Sequence, residues 1–296
     1  MLYLSHFGLR EVPFGITPDT SFFYACRSMQ ESLNTLLVAV ANGEGFIKIT
    51  GEVGTGKTLL CRKFMASLDE NYVTAYLPNP SVEPGTLLLA LAEELGVRVE
   101  STINQHHLMK RINLALLDFA RNKKRVLVCL DEAQAMPLET LEMLRLVSNL
   151  ETEKRKLLQV VMFGQPELDQ KLSEQAIRQL RQRITFEHRL SHLTWREVEH
   201  YLAHRMKVAG YHSERVFTRA AVRTIYRASR GVPRLINILA NKALMLAYGK
   251  GTDRVNWAIA RAAVGDTPAS YRPAPAWMWT VLLCVAGSSL GWMLLR

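Results

Sequence analysis

What this 296-residue chain lacks narrows its class first. Its four cysteines, Cys26, Cys61, Cys129 and Cys284, form no CxxC pair and keep no metal-type spacing to histidine. That scatter argues against a disulfide framework and suits reduced thiols. No internal repeat is present. Residues 1–30 lack a basic start followed by an apolar run and a cleavage site, so no secretory leader is expected. The eight histidines, among them His106, His107, His188, His192, His200 and His204, do not converge with acids on a metal pattern. Acids are also in deficit, 27 Asp and Glu against 37 Lys and Arg, for a net charge of +10. Such an excess suits nucleic acid, an anionic membrane surface or an acidic partner, although a solvated surface explains much of it. It is densest at Arg121–Arg125 and Arg178–Arg189 and does not gather in one tail.

What is present is globular. An apolar fraction of 48% with 22% charged residues supports a sizeable core, and the length allows one large or two modest domains. Tyr3 to Tyr24, rich in aromatics, Pro and Gly, reads as an irregular arm packed on the first domain. Short apolar runs at 46–50, 72–77, 125–130, 157–163 and 184–189 read as strands. Helical spacing at 28–42, 58–68, 84–95, 108–120 and 137–150 alternates with them. That alternation predicts an α/β fold with a mostly parallel sheet and helices on both faces. After Leu193 only helical patterns remain, at 195–208, 218–229, 233–248 and 255–264, with glycine breaks between them. The expected organisation is an α/β domain over 1–192 and a small helical domain over 193–265.

Residues 266–276 contain Pro268, Pro273 and Pro275 and read as a linker. From Ala274 to Leu295 there is no charged residue. As a helix, Trp277–Leu295 measures about 28 Å, matching a hydrocarbon core of about 30 Å. Trp277, Trp279 and Trp292 near its ends suit interfacial positions. A transmembrane helix at 277–295 is therefore expected, in contact with membrane lipid. Arg254, Arg261 and Arg272 precede it, which favours keeping the folded part in the cytoplasm.

The chemistry starts at Gly51-Glu52-Val53-Gly54-Thr55-Gly56-Lys57-Thr58, a complete G-x-x-x-x-G-K-[ST] loop between a strand and a helix. Backbone amides of such a loop and the helix N-terminus behind it form an anion site. Lys57 is expected on the β- and γ-phosphates of ATP, and Thr58 on Mg²⁺. Seventy-odd residues later the strand at 125–130 ends in Asp131 and Glu132. Elsewhere such a pair is often a helix cap; after a phosphate loop it reads as a Mg²⁺-orienting Asp131 and a general base, Glu132. Gln165 follows the next strand, where a polar side chain reaches the γ-phosphate and the attacking water. Arg178, Arg181 and Arg183 precede the last strand; Arg183, then Arg181, is the candidate finger for a neighbouring subunit's pocket in a homo-oligomer. Arg234, just inside a helix after Gly231, is placed to fold over the nucleotide.

These elements in this order, followed by a small helical lid, resemble the AAA+ ATPases. Tyr3 to Leu9, Pro13-Phe14, Thr17-Pro18-Asp19, Gly164 to Leu168, Tyr201 to Arg205 with Ala209-Gly210, and Gly231 to Asn237 narrow the resemblance. They look like the ExeA/GspA-type secretion ATPases over roughly residues 1–265. Members of that type continue past a membrane helix into a periplasmic domain. This chain ends one residue after its apolar segment, so the resemblance points to the short members associated with MSHA-type pili. It implies Mg²⁺-dependent ATP hydrolysis at the bacterial inner membrane and pilus or type II secretion assembly proteins as partners. Gln165 departs from the Asn common among AAA+ proteins. Two other readings stand beside this one: a DNA-bound helper ATPase similar to those of transposition, and a scaffold switched by nucleotide occupancy.

Overall fold

The computed structural model describes residues 3–98, 104–149, 151–152, 155–213 and 215–271. A short helix α1 (Tyr3–His6) opens the arm, and α2 (Arg27–Ala41) follows it. The α/β part then runs β1 (Phe46–Thr50), α3 (Lys57–Met65), β2 (Tyr72–Leu77), α4 (Pro84–Glu94), α5 (Gln105–Arg121), β3 (Arg125–Leu130) and α6 (Leu138–Val147). A two-residue hairpin, β4 (Glu151–Thr152) with β5 (Arg155–Lys156), leads to β6 (Leu158–Gly164), α7 (Glu167–Leu172), α8 (Arg178–Arg181) and β7 (Ile184–Arg189). Four helices complete the described residues: α9 (Trp195–Val208), α10 (Arg219–Ser229), α11 (Pro233–Gly249) and α12 (Trp257–Gly265).

The sheet is parallel throughout, in the order β2-β3-β6-β1-β7. Its three inner strands are mostly apolar because both faces are covered. Every residue of β1 and β6 is buried, as is β3 beyond Arg125. The outer strand β7 instead alternates half-buried and exposed residues, as an edge does. Two polar side chains enter the interior with partners. Gln159 donates to the carbonyls of Val40 and Glu44, and Lys48 pairs with Asp169 and Glu187.

One core lies between the sheet and α4, α5 and α6, built on Leu87, Leu88, Ile112, Leu116, Leu141 and Leu144. The other runs without a break from α2 and α3 into the bundle α9–α12. Leu36, Phe64, Val161, Leu239 and Leu244 belong to it, each fully buried. Burying each such side chain favours folding by about 1.5–3 kcal/mol. Local signals set the bundle's helix starts. Thr194 and Glu197 form a reciprocal capping box for α9, Thr218 caps α10, Pro233 opens α11 and Asn256 caps α12.

The arm departs from expectation. It packs on the helical bundle more than on the α/β part: Tyr3 Oη donates to Asn241, Arg10 N to the Ala209 carbonyl, and Phe14 meets Phe217 edge-on at 5.8 Å. The cause is apolar surface on α9 and α11 that the arm's aromatics cover. The stretch expected as a linker is described as far as Tyr271, and that part is held in place. Thr267 and Ser270 are buried, and Tyr271 N donates to the Ala228 carbonyl. The expected membrane helix, 277–295, lies outside the described residues. Among those described, no helix is long and apolar enough to cross a membrane.

Candidate nucleotide site

β6 lies between β1 and β3, so three consecutive strands deliver their carboxyl ends side by side. The phosphate loop leaves β1, Gln165 follows β6, and Asp131 and Glu132 follow β3. Backbone bonds fix the junctions: Gly51 N donates to the Gly164 carbonyl at 3.1 Å, and Asp131 N to the Leu77 carbonyl at 3.0 Å.

The loop closes tightly because Gly54 and Gly56 sit at φ +80° and +101°, in the left-handed region that side chains rarely adopt. Lys57 is 5% exposed, and its Nζ donates to the Gly51 carbonyl at 2.8 Å and the Glu52 carbonyl at 3.2 Å. Burial pulls its ammonium below the ordinary value, with Glu132, Asp131 and Glu52 working the other way. A buried cation on neutral carbonyls gains most from an anion, so the cradle fits phosphate. Thr58 Oγ1 donates to Asp131 Oδ2 at 2.6 Å, and Tyr76 Oη reaches the same oxygen at 3.4 Å. Burial raises the Asp131 carboxyl despite the Thr58 bond. A hydroxyl against a buried carboxylate is the hard oxygen pair that suits Mg²⁺. Glu52 Oε1 lies 3.6 Å from Arg189 at the rim, and Val53 is exposed.

Glu132 takes a left-handed backbone, φ 54°, which folds the next turn back on it. Its Oε2 accepts from Gln134 Nε2 at 2.5 Å and from Gln165 Nε2 at 3.0 Å, while Gln165 N donates to Gln134 Oε1 at 2.9 Å. Burial pushes this carboxyl up. The two amide bonds and the nearby Lys57 outweigh it, leaving Glu132 below its ordinary value. Lys171 Nζ anchors the turn through the Gln134 and Met136 carbonyls, both at 2.6 Å. An ionised carboxylate held in this way can accept a proton from water.

A cavity of about 190 Å³ opens over the loop. Gly54, Gly56, Lys57, Thr58 and Glu132 line it from the α/β part, and Arg234 from α11. Arg234 is exposed, and its backbone N donates to the Gly54 carbonyl at 3.1 Å. The sequence reading missed two other walls: Gly15–Asp19 of the arm, and Tyr201, Arg205 and Asn237 of the bundle. It also missed Gln134, whose only signal was its place two residues after the base candidate. A separate apolar groove of about 320 Å³ between α9 and the start of α10 holds none of this chemistry.

The cluster before β7 is elsewhere. Arg183 precedes Ile184, which pairs with Phe46 at the amino end of β1, roughly 13 Å of strand from the loop. Its Nη1 lies 3.5 Å from the Arg145 carbonyl and 3.4 Å from Ser148 Oγ. Arg181 and Arg178 are exposed, with Arg181 beside a groove lined by Lys48, Asp169 and Glu187. None of the three lines the cavity over the loop.

A strand interposed between the loop strand and the acidic strand, under a helical bundle that shares the cavity, is the arrangement of the AAA+ fold. A family profile described as an AAA domain matches residues 40–172. General secretion pathway protein A of Aeromonas hydrophila is 37% identical over 294 residues, which is 98% of this chain and 53% of that protein. The chain is similar to this ExeA/GspA-type secretion protein along nearly its whole length, and it spans about half the length of that relative. Solved structures share the fold at low identity. The Aeropyrum pernix ORC2 protein aligns with a TM-score of 0.65 at 18% identity, covering 94% of this chain and 80% of its own. The Thermotoga maritima RuvB Holliday junction branch migration motor aligns at 0.54 and 16%, covering 80% and 67%.

Proposed function

We propose that the chain is a membrane-anchored ATPase whose Mg²⁺-dependent cycle supports assembly of a type II secretion machine or an MSHA-like type IV pilus. The observation that carries this is similarity along 98% of the chain to a general secretion pathway protein, supported by the Thr58–Asp131 and Gln165–Glu132 contacts beside the phosphate loop. In this reading residues 1–192 bind and hydrolyse ATP, and 193–265 act as the lid. Residues 266–276 link the lid to a spanning helix at 277–295. Gly51–Thr58 hold the phosphates, Thr58 and Asp131 hold Mg²⁺, Glu132 polarises water, and Gln165 positions both. Mg²⁺, when bound, offsets charge on the phosphate oxygens. Arg234 reports the γ-phosphate to the lid. Arg183 or Arg181 completes a neighbour's pocket in a homo-oligomer, since neither reaches its own.

The reading predicts that carbonate leaves the full-length chain in the membrane pellet and that Glu132→Gln abolishes envelope assembly without lowering protein level. Release by carbonate without detergent overturns the anchor. Assembly at the wild-type rate by the Glu132 variant overturns the ATP-driven role. A DNA-bound helper of the transposition type is the second reading, which the basic charge favours; salt-dependent retention on duplex DNA would support it.

A further inference from the structure

The net charge is unevenly placed. Between Leu193 and Gly265 thirteen Lys and Arg stand against four Asp and Glu, so this quarter of the chain carries nearly all of the +10. Helix α10 gathers it on one side. Arg219, Arg223 and Arg227 recur every four residues, Arg230 follows just past the helix end, and all four are exposed. At about 100° per residue the three helical arginines fall within an arc of about 80°. The buried residues Ala221, Val222, Ile225, Ala228 and Ser229 centre on the opposite face.

A solvated helix face usually interleaves both signs. This helix has no acidic residue, and none of the four arginines forms an ion pair among the described residues. Their recorded partners are rings: Arg223 lies over Trp195 at 5.5 Å, and Arg230 over Tyr271 at 3.4 Å. Such stacking orders a guanidinium without neutralising it.

The last described residue lies beside this face. Tyr271 N donates to the Ala228 carbonyl at 2.8 Å, in the last turn of α10. Six chain steps separate Tyr271 from Trp277, a reach of at most about 22 Å. We infer that the arginine face of α10 docks on anionic phospholipid headgroups, laying the lid against the membrane surface. The inference rests on the membrane reading of 277–295, because that tether holds the face near headgroups and favours lipid over a nucleic-acid backbone. Clustered arginines at that distance attract an anionic leaflet. Docking would also reach the nucleotide site, since α10 joins α11, and with it Arg234, through Arg230, Gly231 and Val232.

The test uses the full chain carrying Ala220→Cys, an exposed position beside the arginines, in a Cys284→Ser background where Cys26, Cys61 and Cys129 are buried. The labelled protein is reconstituted into vesicles of phosphatidylcholine alone, or with about one third phosphatidylglycerol. Quenching of the label by a headgroup quencher is expected only with phosphatidylglycerol, and is reversed by high salt. The triple substitution Arg219→Gln, Arg223→Gln, Arg227→Gln should weaken the docked state on the order of a hundredfold. Carbonate-resistant flotation is read in parallel, so the tether is judged separately. Flotation with equal quenching in both lipids overturns the docking and leaves the anchor standing. No flotation, but salt-sensitive quenching by phosphatidylglycerol, removes the anchor and leaves the docking. A label that responds to duplex DNA and not to vesicles overturns the lipid assignment.

Discussion

Gln165 Nε2 donates to Glu132 Oε2 at 3.0 Å, joining the carboxyl ends of two neighbouring strands over the phosphate loop. The same oxygen takes Gln134 Nε2, so two amides hold one carboxylate ionised and oriented. Gln165 is therefore tied to Glu132 by its side-chain amide.

Glu132→Gln should still bind ATP and hydrolyse it about 10²–10⁴-fold more slowly in single turnover, the usual scale for losing a general base. Gln134→Ala removes one of the bonds that lower the Glu132 carboxyl. Its pKa then rises, and the acid limb of the rate profile should move to higher pH. A profile unchanged in shape would mean that Gln134 only packs the turn.

Gly231→Ala should be among the more damaging single changes. Gly231 sits at φ +80°, and an added Cβ would lie 2.1 Å from the Leu193 carbonyl oxygen, which is backbone and cannot swing aside. Leu193 N also donates to the Gly231 carbonyl, so relief would break the seam between the end of the sheet domain and α11. A loss of about 3 kcal/mol or more is expected, above the 1–2 kcal/mol of left-handed backbone alone. Gly43→Ala is the control: φ is +82° but nothing lies within 4 Å, so its cost should stay near the backbone figure in denaturant melts.

Lys48 gives a pH window. Burial lowers its pKa, but bonds to Asp169 at 2.5 Å and Glu187 at 2.8 Å outweigh that and raise it. Glu187 is held low by the Lys48 bond. The raised lysine stabilises below its unfolded pKa and loses that contribution as pH rises through its folded value. The lowered Glu187 stabilises above its unfolded pKa and loses that contribution as pH falls through its folded value. The triad is therefore intact between roughly pH 5 and 10. Asp169→Ala with Glu187→Ala strands a buried ammonium and should cost about 3 kcal/mol at pH 7. That penalty should shrink above pH 10, read from melts across the range; a pH-independent penalty would point to packing instead.

The inner strands could be read from sequence because β1, β3 and β6 are mostly apolar runs, interrupted by Lys48 in β1, Arg125 at the start of β3 and Gln159 in β6, and the phosphate loop because its geometry is local. Asp131 and Glu132 were readable for the same reason, each standing at a strand end. Gln134 was not: it reaches Glu132 only because Glu132 itself takes a left-handed backbone, which no neighbouring glycine announces. The two-residue strands β4 and β5 carry no periodicity. Helix α5 begins three residues before its apolar pattern, at Gln105, because Asn104 caps it. The arm's place on the bundle depends on Pro13 meeting Arg205, and nothing local encodes a contact across 192 positions.

Arg205 is 5% exposed, and its Nε donates to the Pro13 carbonyl at 2.5 Å, Nη1 to Tyr201 Oη at 3.1 Å and Nη2 to the Gly15 carbonyl at 3.5 Å. Its guanidinium also lies 4.6 Å over the Phe22 ring, and Asn237 Nδ2 donates to the same Gly15 carbonyl. One planar cation thus ties residues 13–22 to α9, and Gly15–Asp19 form a wall of the nucleotide cavity. Arg205→Ala should lower stability by about 2–4 kcal/mol, the scale of losing several charge-assisted bonds from buried carbonyls. Lys at this position retains charge but cannot span three acceptors with a planar fork, so it should rescue little. Nucleotide affinity should fall in both variants while the hydrolysis rate of saturated enzyme changes far less, because Arg205 holds a wall and not the reacting atoms. Titration of a fluorescent ATP analogue below the melting temperature, followed by single turnover at saturation, separates the two effects. Equal losses in affinity and rate would instead place Arg205 at the chemical step.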